Sequence, residues 1–128
     1  MKKLTLLFLA LLTFSSTDVD AGIVDKARLQ AAMQQHIERN LVNGAILHLD
    51  TETGKVRALY PTKAHAMVIK MGAYYILCAD LRDKTGKTMP LDLYMAENGR
   101  SFTVFHTEIA NRAPLSRLMK KGLAKPLR

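Results

Sequence analysis

Two glycine turns, Thr85-Gly86 and Asn98-Gly99, constrain this chain more than any other feature, because alternating apolar and polar residues flank both. Residues 73–83, 89–96 and 101–109 read as strands, and short Gly-centred turns between such runs close antiparallel hairpins. An earlier pair of strands, 45–50 and 55–60, is joined by Asp50-Thr-Glu-Thr-Gly54, and Pro61-Thr62 is expected to end it. Residues 64–71 stay open between strand and loop: Met67, Val68 and Ile69 favour a strand, with Gly72 as a turn or bulge.

Helical period flanks this meander. Leu29, Met33, Ile37 and Leu41 recur every fourth residue and predict a helix over 25–41, with Asp25 as N-cap and Asn43-Gly44 as the stop. A short helix follows the last strand: Asn111 caps it, Pro114 lies in its first turn, Leu115, Leu118 and Met119 form its apolar side, and Gly122 stops it. The expected fold is α+β, an N-terminal helix packed on an antiparallel β-meander of four to five strands, with a short C-terminal helix. Both helices are expected on one sheet face.

The chain opens with Lys2 and Lys3, runs apolar from Leu4 to Phe14, and reaches Val19-Asp20-Ala21. That order is a cleaved signal peptide, and its apolar run is well short of the roughly 20 residues a membrane span needs. The expected organisation is a signal over 1–21, one domain over 22–122, and a basic C-terminal tail over 123–128. Localisation is expected to be periplasmic or secreted, which sets nucleic acid aside as a partner. Cys78 is the only cysteine, so no disulfide framework holds the fold.

Charge is uneven. The net +8 is concentrated in Arg112, Arg117, Lys120, Lys121, Lys125 and Arg128, a stretch with no acid. Such a segment is either a solvated tail or a contact for an anionic surface such as lipid headgroups.

Placing the two late hairpins in register sorts their side chains onto two faces. Asn98-Gly99 taken as a two-residue turn sets Met95 opposite Phe102, Leu93 opposite Val104 and Leu91 opposite His106. A three-residue loop around Gly86 sets Asp80 opposite Asp92. One face then carries Leu77, Ala79, Leu81, Leu91, Leu93, Met95, Phe102 and Val104, the expected core. The other mixes aromatic and charged residues, and from it Tyr74, Asp80, Arg82, Asp92, Tyr94 and Phe105 are the candidate ligand- or partner-binding residues.

Two carboxylates on adjacent strands can split their pKa values and serve as acid and base, so an Asp80/Asp92 enzyme is the alternative from another class. The bland counterpart is Arg82 bridging the two aspartates. His65 with Met67 and Met71, and Met33 with His36, offer soft copper ligands, but all three methionines also suit a core. Cys78 has no base beside it and reads as a buried inert thiol, and His106 and Glu108 read as a hydrogen-bonded pair. No cofactor or metal is expected; a homodimer is one form the partner could take. The reading is a non-enzymatic exported domain that binds a ligand or protein through its outer sheet face.

Overall fold

The computed structural model describes residues 21–128, with side chains from Lys26 onward; the expected signal peptide, all but its last residue, lies outside the described residues. The first helix, α1 (Ala21–Arg39), starts earlier than expected and contains residue 25 rather than being capped by it. Leu29, Met33 and Ile37 are buried on one stripe, as their spacing requires. The helix stops at Arg39, where the Asn40 side chain donates to the His36 carbonyl at 2.7 Å. Leu41, the fourth residue of the stripe, opens β1 (Leu41–Val42) instead and still packs on the core. Asn43-Gly44, expected as a helix stop, is the turn of a hairpin between β1 and β2 (Ala45–Leu49): both residues have positive φ, at 50° and 81°. That is the Asn-Gly preference of a two-residue hairpin turn.

Strand β3 (Val56–Met71) runs through Pro61 and includes the segment left open above. Proline is tolerated in a strand at a bulge. The register with β4 (Tyr74–Arg82) shifts between Pro61 and Lys63, and again between Ala64 and Val68. β5 (Thr88–Asn98) and β6 (Ser101–Ile109) complete the meander, and β7 (Lys125–Pro126) pairs with β3 after the short helix α2 (Ala113–Lys120). The sheet thus has seven strands, β1 to β6 in sequence order with β7 added on β3, where four to five were expected. The surplus comes from two-residue strands at its margins, too short to show any period.

Register departs from expectation at both late hairpins. Asp83 organises the first: its Oδ1 accepts the Thr85 amide at 2.8 Å, the Thr85 hydroxyl at 2.6 Å and the Lys87 amide at 3.0 Å. This holds 83–87 as the loop and sets Asp80 opposite Pro90 and Asp92 opposite Cys78. Asp80 and Asp92 are therefore on one face but not directly opposed. In the second hairpin Asn98 pairs with Ser101, so the turn residues are Gly99, with φ 63°, and Arg100. Glycine at the first central position suits a type II′ turn. The register slips so that Met95 faces Val104, and a bulge at residue 105 shifts it by one more, setting Tyr94 opposite His106. His106 consequently lies on the outer face, and Thr107 does not.

The bonds to the Thr85 hydroxyl and to the Lys87 and Thr85 amides hold the Asp83 carboxyl below its ordinary range, and bonds from the Thr53 and Glu52 amides do the same for Asp50 in the β2–β3 loop. A depressed folded-state pKa stabilises above the unfolded value near 3.9 and is lost as pH falls through the folded one. Asp83→Ala should therefore be less stable than the parent at neutral pH, with the gap closing in strong acid; urea midpoints at pH 7 and pH 2.5 check it.

The main core lies between α1 and the face carrying Leu77, Ala79, Leu81, Leu91, Leu93 and Met95, with Phe102 and Val104 at its margin. A second core fills the opposite face, where Leu115 of α2 and Ala124 meet Ile69, Ile76, Cys78 and Tyr94. The helices therefore take opposite faces, not one. Residues 75–79 and 91–95 are buried without interruption, as strands covered on both sides must be. The C-terminal residues expected as a tail also join the fold: Ala124 is buried, and the Leu127 amide donates to the Val68 carbonyl at 2.8 Å.

Ala110, between β6 and α2, has φ 57° and donates its amide to the Pro90 carbonyl at 2.8 Å. A left-handed alanine costs roughly 1–2 kcal/mol, part of which glycine's greater freedom in the unfolded chain offsets. Ala110→Gly should raise stability by about 0.5–1 kcal/mol, read from the urea midpoint.

Candidate functional site on the outer sheet face

The outer face divides into three parts. Its centre lies under α2. There Asp92 is 1% exposed, the one buried charged residue among those described. Its cation is Arg112, in the N-cap position of α2, with Nη2 2.9 Å from Asp92 Oδ1. The approach is out of line for a hydrogen bond. Both Asp92 oxygens, the Tyr94 hydroxyl and Arg112 Nε lack a hydrogen-bond partner among the described residues. The result is a buried polar cluster inside the second core, held by one ion pair.

Burial, and then the charge of Asp92 directly across the ladder, pushes the Cys78 thiol up to about 12. Tyr94 is raised by burial and by the charges of Asp92 and Glu108. Both groups stay neutral at physiological pH, so neither is poised as a nucleophile or a base. Since a raised folded-state pKa stabilises fully below the unfolded value, stability should fall as pH rises from about 9 towards 12. Cys78→Ala should flatten that decline, and thermal midpoints between pH 8 and pH 11 check it.

The second part lies towards the 83–87 loop. His65 Nε2 donates to Asp80 Oδ1 at 2.9 Å, and the Thr62 hydroxyl donates to the Asp80 carbonyl at 3.1 Å. Arg82 is exposed beyond them and bridges neither of these two aspartates: Asp80 is held by His65 and Asp92 by Arg112. Asp80 and Asp92 thus have separate partners, a hydrogen-bonded histidine and an arginine, rather than each other.

The third part is an aromatic cluster. Tyr74 and Phe105 meet edge-on at 5.1 Å between centroids, Phe105 reaches Tyr94 at 6.5 Å, and Tyr94 meets His106 at 5.0 Å. Tyr74 is 46% and Phe105 52% exposed, whereas Tyr94 is buried. The bulge at residue 105 explains the exposure, because the extra residue turns out of the ladder. His106 Nε2 donates to Glu108 Oε1 at 3.0 Å, and the Asn111 side chain reaches Glu108 Oε2 at 3.4 Å.

The six candidate residues therefore do not form one surface. Tyr74, Tyr94 and Phe105 come together, Asp92 is buried beneath α2 with Arg112, and Asp80 and Arg82 stand at the far end of β4. Six residues along a strand separate Tyr74 from Asp80 by roughly 20 Å. Two residues that matter were not placed on this face. His106 needed the bulge to reach this face. Arg112 was read only as part of a basic segment, although a lone Asp92 among Leu91, Leu93, Tyr94 and Met95 is a signal for a covering cation. No group of histidines, cysteines and acids among the described residues could hold a metal ion.

No protein-family model, curated protein or solved structure matches the chain. Its functional reading rests on the geometry above.

Proposed function

We propose that this chain is a small non-enzymatic binding domain, exported to the periplasm or secreted, that holds a ligand or protein partner on the open aromatic part of its outer sheet face. The observation that carries the reading is the half-exposed Tyr74–Phe105 pair, on a face whose centre is otherwise sealed by α2. Aromatic side chains give large contact area for little conformational entropy and dominate interface energetics. His106 and Glu108 supply the polar margin. Tyr94 supports the rings from below rather than touching the partner, and Asp80 and Arg82 can act only on an occupant long enough to span β4. Single serine substitutions at Tyr74 and Phe105 should weaken binding about tenfold to thirtyfold each, with stability nearly unchanged. Pull-down from envelope extracts, parent against Phe105→Ser, tests it; a partner held equally by both overturns it.

A specific observation favours a second reading, contact with an anionic surface. Leu123, 57% exposed, and Met119, 39% exposed, stand among Lys120, Lys121 and Lys125 at the turn after α2. Apolar side chains ringed by lysines suit the interface of a negatively charged bilayer, where each cation near the surface contributes about 1 kcal/mol, or fivefold. Arg112 is committed to Asp92, which leaves Arg117, Arg128 and the lysines for this role. Leu123→Glu should then abolish flotation with vesicles containing phosphatidylglycerol and leave the fold intact. Flotation unchanged in Leu123→Glu would reject this reading.

A further inference from the structure

We infer that the groove between α1 and β6 is a strand-addition site for an extended acidic segment of a partner protein. β6 ends the strand order and is a free edge among the described residues, and such an edge presents a row of unpaired amides and carbonyls. Beside it runs a groove of about 490 Å³, with Gln35, His36 and Arg39 of α1 on one wall and Arg100 at its mouth. No acid lines it among the described residues. Ala31 and Ala32 keep the helix wall low, which leaves width for another chain, and Phe102 and Val104 give an apolar floor.

The turn that leads into this edge already accepts a donor from α1: the Arg28 guanidinium donates to the Arg100 carbonyl and lies over the Phe102 ring at 5.3 Å. Burial and the neighbouring Arg39 hold His36 below its ordinary range, so the positive charge of the groove at neutral pH is that of its arginines. The bulge at residue 105 limits pairing to Ser101–Val104, enough for four or so residues of an added strand, or about 13 Å. In an extended strand alternate side chains share a face. Acidic residues at every second position would turn to the α1 side, their methylenes over Phe102 and Val104 and their carboxylates at the arginines, while the residues between them face the opposite side of the sheet. This surface is separate from the Tyr74–Phe105 patch, and the inference stands without it.

A fluorescein-labelled heptapeptide of alternating glutamate and valine is the probe, with fluorescence anisotropy as the readout on the full chain. Binding is expected to weaken at least tenfold for Arg39→Glu with Arg100→Glu, and Arg39→Gln with Arg100→Gln covers the case in which charge reversal unfolds the protein. Two further peptides carry backbone N-methyl groups on alternate residues, one on each phase. Strand addition requires one phase to lose binding and the other to keep it, because only half of the amides face β6. Absence of binding by the parent peptide, equal binding by the arginine variants, or equal binding by both N-methylated peptides would overturn the inference. So would equal affinity for a single-stranded oligonucleotide of matched charge, which would mean a general polyanion surface.

Discussion

Replacing Arg112 with methionine should lower the unfolding free energy by about 3 kcal/mol. Asp92 is 1% exposed, and Arg112 is its only cation among the described residues. Removing one partner of a buried pair strands the other charge in a medium that solvates it poorly, at a cost of roughly 3–5 kcal/mol. The lower end applies because the Arg112 side chain is 39% exposed and water reaches its side of the pair. Asp92→Leu combined with Arg112→Met should recover most of the loss, since an apolar pair of similar volume fills the same space without a charge. Urea titrations of the single and double variants decide it. A single variant as stable as the parent would mean that the pair does not clamp α2.

Leu115→Ala should expose a thiol the parent conceals. Leu115 is 2% exposed and is the one buried residue of α2, so it anchors the helix against Ile76, Cys78 and Tyr94. Truncating a buried leucine costs roughly 2–5 kcal/mol. Here most of that loss falls on a local equilibrium, the lifting of α2, rather than on the main core beneath α1. Cys78, buried and with its thiol held near 12, should resist a thiol reagent in the parent. A change of about 3 kcal/mol in the opening equilibrium raises the labelling rate roughly 100-fold. Labelling unchanged by Leu115→Ala would contradict α2 as the cover of this face.

What the residues disclosed and what they concealed divide along physical lines. Leu29, Met33 and Ile37, and the core positions from Leu77 to Val104, were legible because period 3.6 and period 2 survive small errors of register. The Asp80–Asp92 pairing was not, since it depends on how Asp83 closes its loop and a shift of two residues changes the partners while preserving the faces. The bulge at residue 105 also left no periodic trace, though it brings His106 to the outer face and Phe105 out of the ladder. Two-sided burial was written in the unbroken runs Tyr75-Ile-Leu-Cys-Ala79 and Leu91-Asp-Leu-Tyr-Met95, but an alternating reading split each run between two faces. The far-face placement of α2 was missed with it, since both helices were expected on one face. Pro61 misled for a different reason: it reads as a strand end unless the bulge after it is known.

The central claim is that a partner occupies the open aromatic patch at Tyr74 and Phe105. Photo-crosslinking in cells that produce the protein tests it most directly, with p-benzoylphenylalanine placed at position 105, at position 74, and at position 51 in the exposed β2–β3 loop as a control. Adducts of one shared mass are expected from positions 105 and 74 and none from position 51. No adduct at either aromatic position, or the same adducts from all three, would contradict it.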